Sequence, residues 1–182
     1  MYYCEDILST DEVKEVYKYL FLKHKWNVTN AYGSKELGTD LDGVYLNNVI
    51  MNNDGKQFGV YEPYLYGLFR GILFSINKKL KEKYNFTLGV GEENITRMQL
   101  NAQKKSNYNK YHIDNPYTYS VIGFLTPFWD KNWGGELQIE SKTIDFSPGD
   151  FLIFKSNKIH DALPVIKETP FYRATIAMFI NP

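Results

Sequence analysis

The chain holds only three histidines in 182 residues, so few imidazole-based sites can be built from it. In His112-Ile113-Asp114, residues i and i+2 of an extended segment point to one face. The imidazole and the carboxylate therefore converge while Ile113 faces away. A facial metal site needs a third ligand from elsewhere in the chain. His24 lies between lysines at the polar end of a predicted helix and reads as an exposed side chain. His160 remains, just after the apolar run Asp150–Phe154. Two imidazoles and one carboxylate on a face leave three open positions, as in non-haem Fe(II) sites that take a bidentate co-substrate together with O2. A zinc hydrolase, which needs one open position, fits the same ligands. Arg173 opens the last apolar strand. An arginine aimed into a β core is unfavourable unless an anion meets it, and its planar fork suits a carboxylate. Thr175 falls on the same face and adds a hydroxyl. The plainer alternatives are a chance His-x-Asp, a structural histidine at a strand end, and a rim arginine paired with Glu168 or Asp161.

These side chains need a scaffold that brings distant segments together. The spacing predicts a helix over Asp11–Lys25, opened by a capping box of Ser9 and Glu12. A second helix is predicted over Pro63–Tyr84, with Leu65, Leu68, Phe69, Ile72, Leu73, Ile76 and Leu80 as its apolar stripe. Its late lysines suit the negative end of the helix dipole. Between the helices, Asn30–Gln57 is rich in Gly, Asn and Asp and reads as one long connection. Within it, Asp40-Leu41-Asp42-Gly43 resembles part of a calcium loop. The glycine comes too early, and no acidic twelfth position follows.

From Phe86 onward the texture is of short strands: Ile95–Ala102, Tyr119–Leu125, Glu136–Ile139, Thr143–Phe146, Asp150–Phe154 and Tyr172–Ile180. Ser147-Pro148-Gly149-Asp150 has the residues of a type II turn, and Gly134-Gly135 reads as another tight turn. Many short strands with regular turn signals mean a sandwich or barrel. The expected fold is mostly β (α+β), a single domain over 1–182, with helical support and a loop over 1–85 and the β core over 86–182.

The bulk properties remove other function classes. The formal net charge is zero, so no electrostatic footprint for nucleic acid or an anionic membrane is expected. The lone Cys4 excludes an intramolecular disulfide framework. No basic start followed by an apolar run marks a signal peptide, and no run approaches the ~20 apolar residues of a membrane span. A cytoplasmic, intracellular protein is the expectation.

Residues 95–182 resemble the double-stranded β-helix of the 2-oxoglutarate/Fe(II)-dependent dioxygenase superfamily, closest to its prolyl 4-hydroxylase branch. The likeness rests on His112-Ile113-Asp114-Asn115-Pro116, Trp133-Gly134-Gly135-Glu136-Leu137, Pro148-Gly149-Asp150 with the run to Phe154, His160-Asp161-Ala162-Leu163-Pro164 and Arg173 with its strand. It implies a jelly-roll core with N-terminal helices packed on the major sheet. It also implies iron held by His112, Asp114 and His160, and the far carboxylate of 2-oxoglutarate gripped by Arg173. The activity implied is O2-dependent hydroxylation, of a peptidyl proline first and of a free amino acid or small metabolite second. Two departures stand out. Phe124 occupies the place of a tyrosine that anchors the co-substrate carboxylate in those hydroxylases, and Asn101 replaces another tyrosine. The resemblance thus shifts co-substrate binding toward Arg173, Thr175 and Asn101. The competing readings are a cupin-type enzyme, which usually carries more metal histidines, and a degenerate, non-catalytic metal-binding jelly roll.

Overall fold

A computed structural model describes residues 1–29, 45–105 and 111–182. Two helices and eleven strands follow in the order β1 (Tyr2–Cys4), α1 (Thr10–Leu22), β2 (Asn27–Thr29), β3 (Tyr45–Asn53), β4 (Phe58–Val60), α2 (Pro63–Tyr84), β5 (Ile95–Gln103), β6 (Tyr119–Phe124), β7 (Leu137–Ile139), β8 (Lys142–Ile144), β9 (Phe151–Lys155), β10 (His160–Ala162) and β11 (Arg173–Ile180). All pairings are antiparallel. The major sheet runs β1-β9-β6-β11-β5-β3-β2, with β4 beside β3, and the minor sheet runs β10-β7-β8. This is the expected jelly roll.

Local chemistry explains the helices. Ser9 caps α1, accepting from the Glu12 amide while Glu12 accepts from the Ser9 amide, so two otherwise unpaired donors are satisfied. α2 starts with Pro63 in its first turn and ends where Asn85 turns left-handed at φ 50°, a conformation asparagine tolerates. Leu65, Phe69, Ile72, Leu73, Ile76 and Leu80 are buried along its length. They pack into one core with Met98, Leu100 and Ala102 of β5 and Ala174, Ile176, Met178 and Ile180 of β11. Those strand residues all have even numbers, and the odd-numbered residues between them face the other way. β11 is buried along its entire length, covered by helices on one face and by the pocket and minor sheet on the other.

Two expectations are corrected. The segment 30–57 is not one connection, because its second half forms β3, paired with β5 in register from Tyr45↔Gln103 to Asn52↔Arg97. Its asparagines disfavour a strand, but pairing overrides that preference, and Asn47 faces a cavity where polarity is tolerated. Residues 30–44 and 106–110, which include the calcium-like fragment and much of the loop before Tyr111, lie outside the described residues. His24 is not exposed. Its side chain is fully buried beside Trp26, with Nε2 3.1 Å from the Asn48 side-chain amide and Nδ1 3.6 Å from Glu62. α1 stops at Leu22, and the following turn folds the imidazole back between β3 and the start of α2.

Gly134 and Gly135 (φ 76° and 81°) serve a close approach more than a tight reversal. Gly135 donates its amide to the Pro164 carbonyl, and a Cβ there would stand 2.8 Å from Cδ of Arg173. Ser147–Asp150 is a turn closed by the Asp150 amide on the Ser147 carbonyl, with Gly149 at φ 85°. No helix among the described residues is long and apolar enough to cross a membrane.

Candidate metal centre

The two histidines expected to meet are tied backbone to backbone. The His112 amide donates to the His160 carbonyl at 3.0 Å, and the His160 amide donates back at 2.9 Å. The loop after β6's partner strand β9 thus brings β10 against the His112 segment, with the imidazole centroids 4.4 Å apart. The Asp114 amide donates to the Ser156 carbonyl, which fixes the carboxylate beside them. One donor atom each from His112, Asp114 and His160 lies within 4.8 Å of the others. Ile113, between the two ligand candidates, is half exposed. A nitrogen–nitrogen–oxygen set of this size fits a divalent transition metal.

Neighbouring groups orient these donors. Nδ1 of His160 lies 2.9 Å from the Lys158 carbonyl. A proton held there leaves Nε2, 3.2 Å from Asp114, as the lone-pair nitrogen for a metal. Ser120 donates its hydroxyl to Asp114 Oδ2 at 2.7 Å and contacts the Ser156 hydroxyl at 2.8 Å. Burial pushes the Asp114 carboxyl up, but the hydrogen bond and charge of His160, then Ser120 and His112, outweigh it and hold it below the usual range. Burial pulls His160 down, but Asp114 and the Lys158 carbonyl raise it above the ordinary imidazole.

These donors open onto a pocket of about 470 Å³ whose wall is the odd-numbered face of β3, β5 and β11. One cross-strand row is Tyr45–Gln103–Arg173, and the next is Asn47–Asn101–Thr175. Arg173 is 4 % exposed, so it is not a rim residue. It donates from Nε to the Gly135 carbonyl and stacks its guanidinium 5.1 Å above Phe146. Thr175 and Asn101 both line the cavity. Phe124, next in the Thr175 row, joins Trp129, Phe146 and Val165 in an apolar cluster and supports the ring beneath Arg173.

Tyr45, Asn47, Arg97, Gln99, Gln103 and Ser120 escaped sequence reasoning. One signal was present: β5 reads Arg97-Met98-Gln99-Leu100-Asn101-Ala102-Gln103, a strict two-residue alternation whose polar face lines the cavity. Tyr45 shares its cross-strand row with Arg173. Burial pushes its phenol up to about 12, the Arg173 charge opposing and that of the buried Asp161 assisting. Its O–H therefore stays a donor.

Residues 98–181 match the family model described as the 2OG-Fe(II) oxygenase superfamily. No relative is found among curated proteins by sequence. Among solved structures, the chain is similar to a 2OG-Fe(II) oxygenase family oxidoreductase from Burkholderia pseudomallei (TM-score 0.67, 16% identity, 95% of this chain and 80% of that one). It is also similar to a prolyl hydroxylase from Trichoplax adhaerens in complex with a hypoxia inducible factor peptide fragment (TM-score 0.61, 17% identity, 98% and 82%). A third similar structure is NgTET1 in complex with 5mC DNA (TM-score 0.65, 20% identity, 97% and 70%).

Proposed function

From the match of residues 98–181 to the 2OG-Fe(II) oxygenase family model, we propose that the chain hydroxylates an unactivated C–H bond, with a peptidyl proline as first substrate. The observation that carries the reading is the convergence of His112, Asp114 and His160 on a pocket that also contains a buried arginine. In this reading His112, Asp114 and His160 hold the iron. Bound iron and 2-oxoglutarate together supply O2 activation coupled to decarboxylation of the co-substrate to succinate and CO2.

The chain's own residues then have separate tasks. Arg173 grips the far carboxylate of 2-oxoglutarate, with its stem held over Phe146 and its Nε on the Gly135 carbonyl. Tyr45 and Thr175 donate hydroxyls to the same end, replacing the hydroxyl that Phe124 lacks. Asn101 lines the wall between that end and the metal. The Lys158 carbonyl and Ser120 keep His160 and Asp114 in one orientation each. Substrate enters past Ile113, Asn115, Tyr117 and Phe179 at the metal end of the cavity.

The similarity to a prolyl hydroxylase bound to a peptide supports proline as the first candidate. The test is turnover of proline-containing peptides with Fe(II), 2-oxoglutarate and O2. The expected result is a gain of one oxygen on proline, matched one-to-one by succinate. Succinate without a hydroxylated peptide, across a broad peptide set, would exclude peptidyl proline. A small-molecule substrate is the second reading, favoured by the charge at the metal end of the pocket.

A further inference from the structure

The pocket contains a second inward-facing arginine. Arg97 lies at the opposite end of β5 from Gln103, on the same cavity face. Its Nη2 donates to Gln99 Oε1 at 2.7 Å, and Gln99 Nε2 donates on to Asn101 Oδ1 at 2.7 Å. The guanidinium is therefore met by a neutral amide. Its Nε is buried without a hydrogen-bond partner, and among the described residues no carboxylate lies within 4.0 Å of it. A partly desolvated cation in that state is unfavourable until an anion arrives.

Its position decides which anion. Arg97 pairs across β11 with Phe179, and Phe179 pairs with Ser120, the residue bonded to Asp114. Arg97 thus shares a cross-strand row with the metal's carboxylate neighbour, two strands or roughly 10 Å away. Arg173 is six positions along β11 from Phe179, roughly 20 Å at the usual rise. A 2-oxoglutarate gripped by Arg173 and chelating the metal has used both its carboxylates and has none left for Arg97. Phe179, stacked on Tyr117 at 4.5 Å, adds an apolar surface next to the cation.

We propose that Arg97, steered by Gln99, binds a carboxylate carried by the substrate itself, close to the carbon that is hydroxylated. This rests on the oxygenase reading above and narrows its substrate class. A carboxylate fits better than a phosphate, since Arg97 is the one cation at this end of the described pocket and a planar fork matches a planar anion. The carboxylate is either the α-carboxylate of a free amino acid or an acidic side chain beside the target residue in a peptide.

Two matched probe pairs separate these sources: L-proline against L-prolinamide, and the doubly capped peptides Ala-Pro-Glu-Ala against Ala-Pro-Gln-Ala. Each is assayed for hydroxylated product and for binding to the Fe(II) and 2-oxoglutarate-loaded protein without O2. The wild type is expected to prefer the acid of one pair by about tenfold or more, consistent with a charge-assisted contact. Arg97→Gln should erase that preference, Arg97→Lys should keep most of it, and 2-oxoglutarate affinity should hold in both. Whichever pair responds identifies the source. The proposal is overturned if neither pair shows the preference, if the preference survives Arg97→Gln, or if no acid member binds or reacts with a wild type that takes up iron and 2-oxoglutarate. A wild type that binds neither iron nor 2-oxoglutarate overturns the oxygenase reading instead, and this one with it.

Discussion

Ser120 shows how much of a metal site lies outside its ligands. Its hydroxyl holds Asp114 Oδ2 at 2.7 Å, and partners of this kind typically carry 10–100-fold in metal affinity. Ser120→Ala is expected to weaken iron binding by about tenfold while leaving the fold intact, as read by metal titration; unchanged affinity would remove Ser120 from the site. Arg173→Ala should weaken 2-oxoglutarate binding and spare iron loading, whereas Tyr45→Phe should weaken it less. Calorimetry on the iron-loaded protein without O2 checks both, and equal 2-oxoglutarate affinity in Tyr45→Phe would deny the phenol its role. The three candidate ligands were legible in sequence because histidine is scarce here and His-x-Asp has the period of a strand. Ser120 and Tyr45 were not, since nothing in a serine or tyrosine codon neighbourhood announces which distant atom it will face. Arg97 was half legible: the alternation of β5 marks its face as polar, but that pattern reads equally as a solvent face.

At the level of elements, helices were easier to read than strands because their ends are chemically marked. The Ser9–Glu12 box and the Pro63 start both fall where the structure has them. β3 was hidden because its asparagines argue against a strand and its reward is pairing with β5, more than forty residues away in sequence. His24 was misread for the same reason, its burial being supplied by Asn48 of β3 and by Glu62. That burial pushes the His24 imidazole below its ordinary value, with Glu62 opposing. A depressed folded value favours the neutral form, so the contribution is present above the unfolded value of about 6.5 and lost as pH falls through the folded one. His24→Gln should therefore flatten the fall in urea midpoint between about pH 7 and pH 5; a curve parallel to the wild type would contradict this. Gly135→Ala places a Cβ 2.8 Å from Arg173 Cδ at φ 81°. It is expected to lower both stability and 2-oxoglutarate affinity, measurable in one series of melts with and without ligand.

Across the whole molecule, one sheet does two jobs through the parity of its residues. Even positions of β5 and β11 bind the helices into a core, and odd positions build the pocket. Ile176, fully buried on the even face, should cost about 2–5 kcal/mol when cut to alanine, without touching the odd-numbered pocket residues directly. The jelly-roll class was legible from turn signals and short strands, whereas the way residues before 86 complete both the core and the pocket wall was not. The expectation of a single domain over 1–182 would show itself as one cooperative unfolding transition. In the proposed reading these sheets assemble an iron site with a 2-oxoglutarate grip. Its most direct measurement is the visible spectrum after Fe(II) and then 2-oxoglutarate are added without O2. The expected result is a metal-to-ligand charge-transfer band that is absent in His160→Ala and needs more 2-oxoglutarate to develop in Arg173→Ala. A folded, iron-loaded wild type that shows no such band would contradict it.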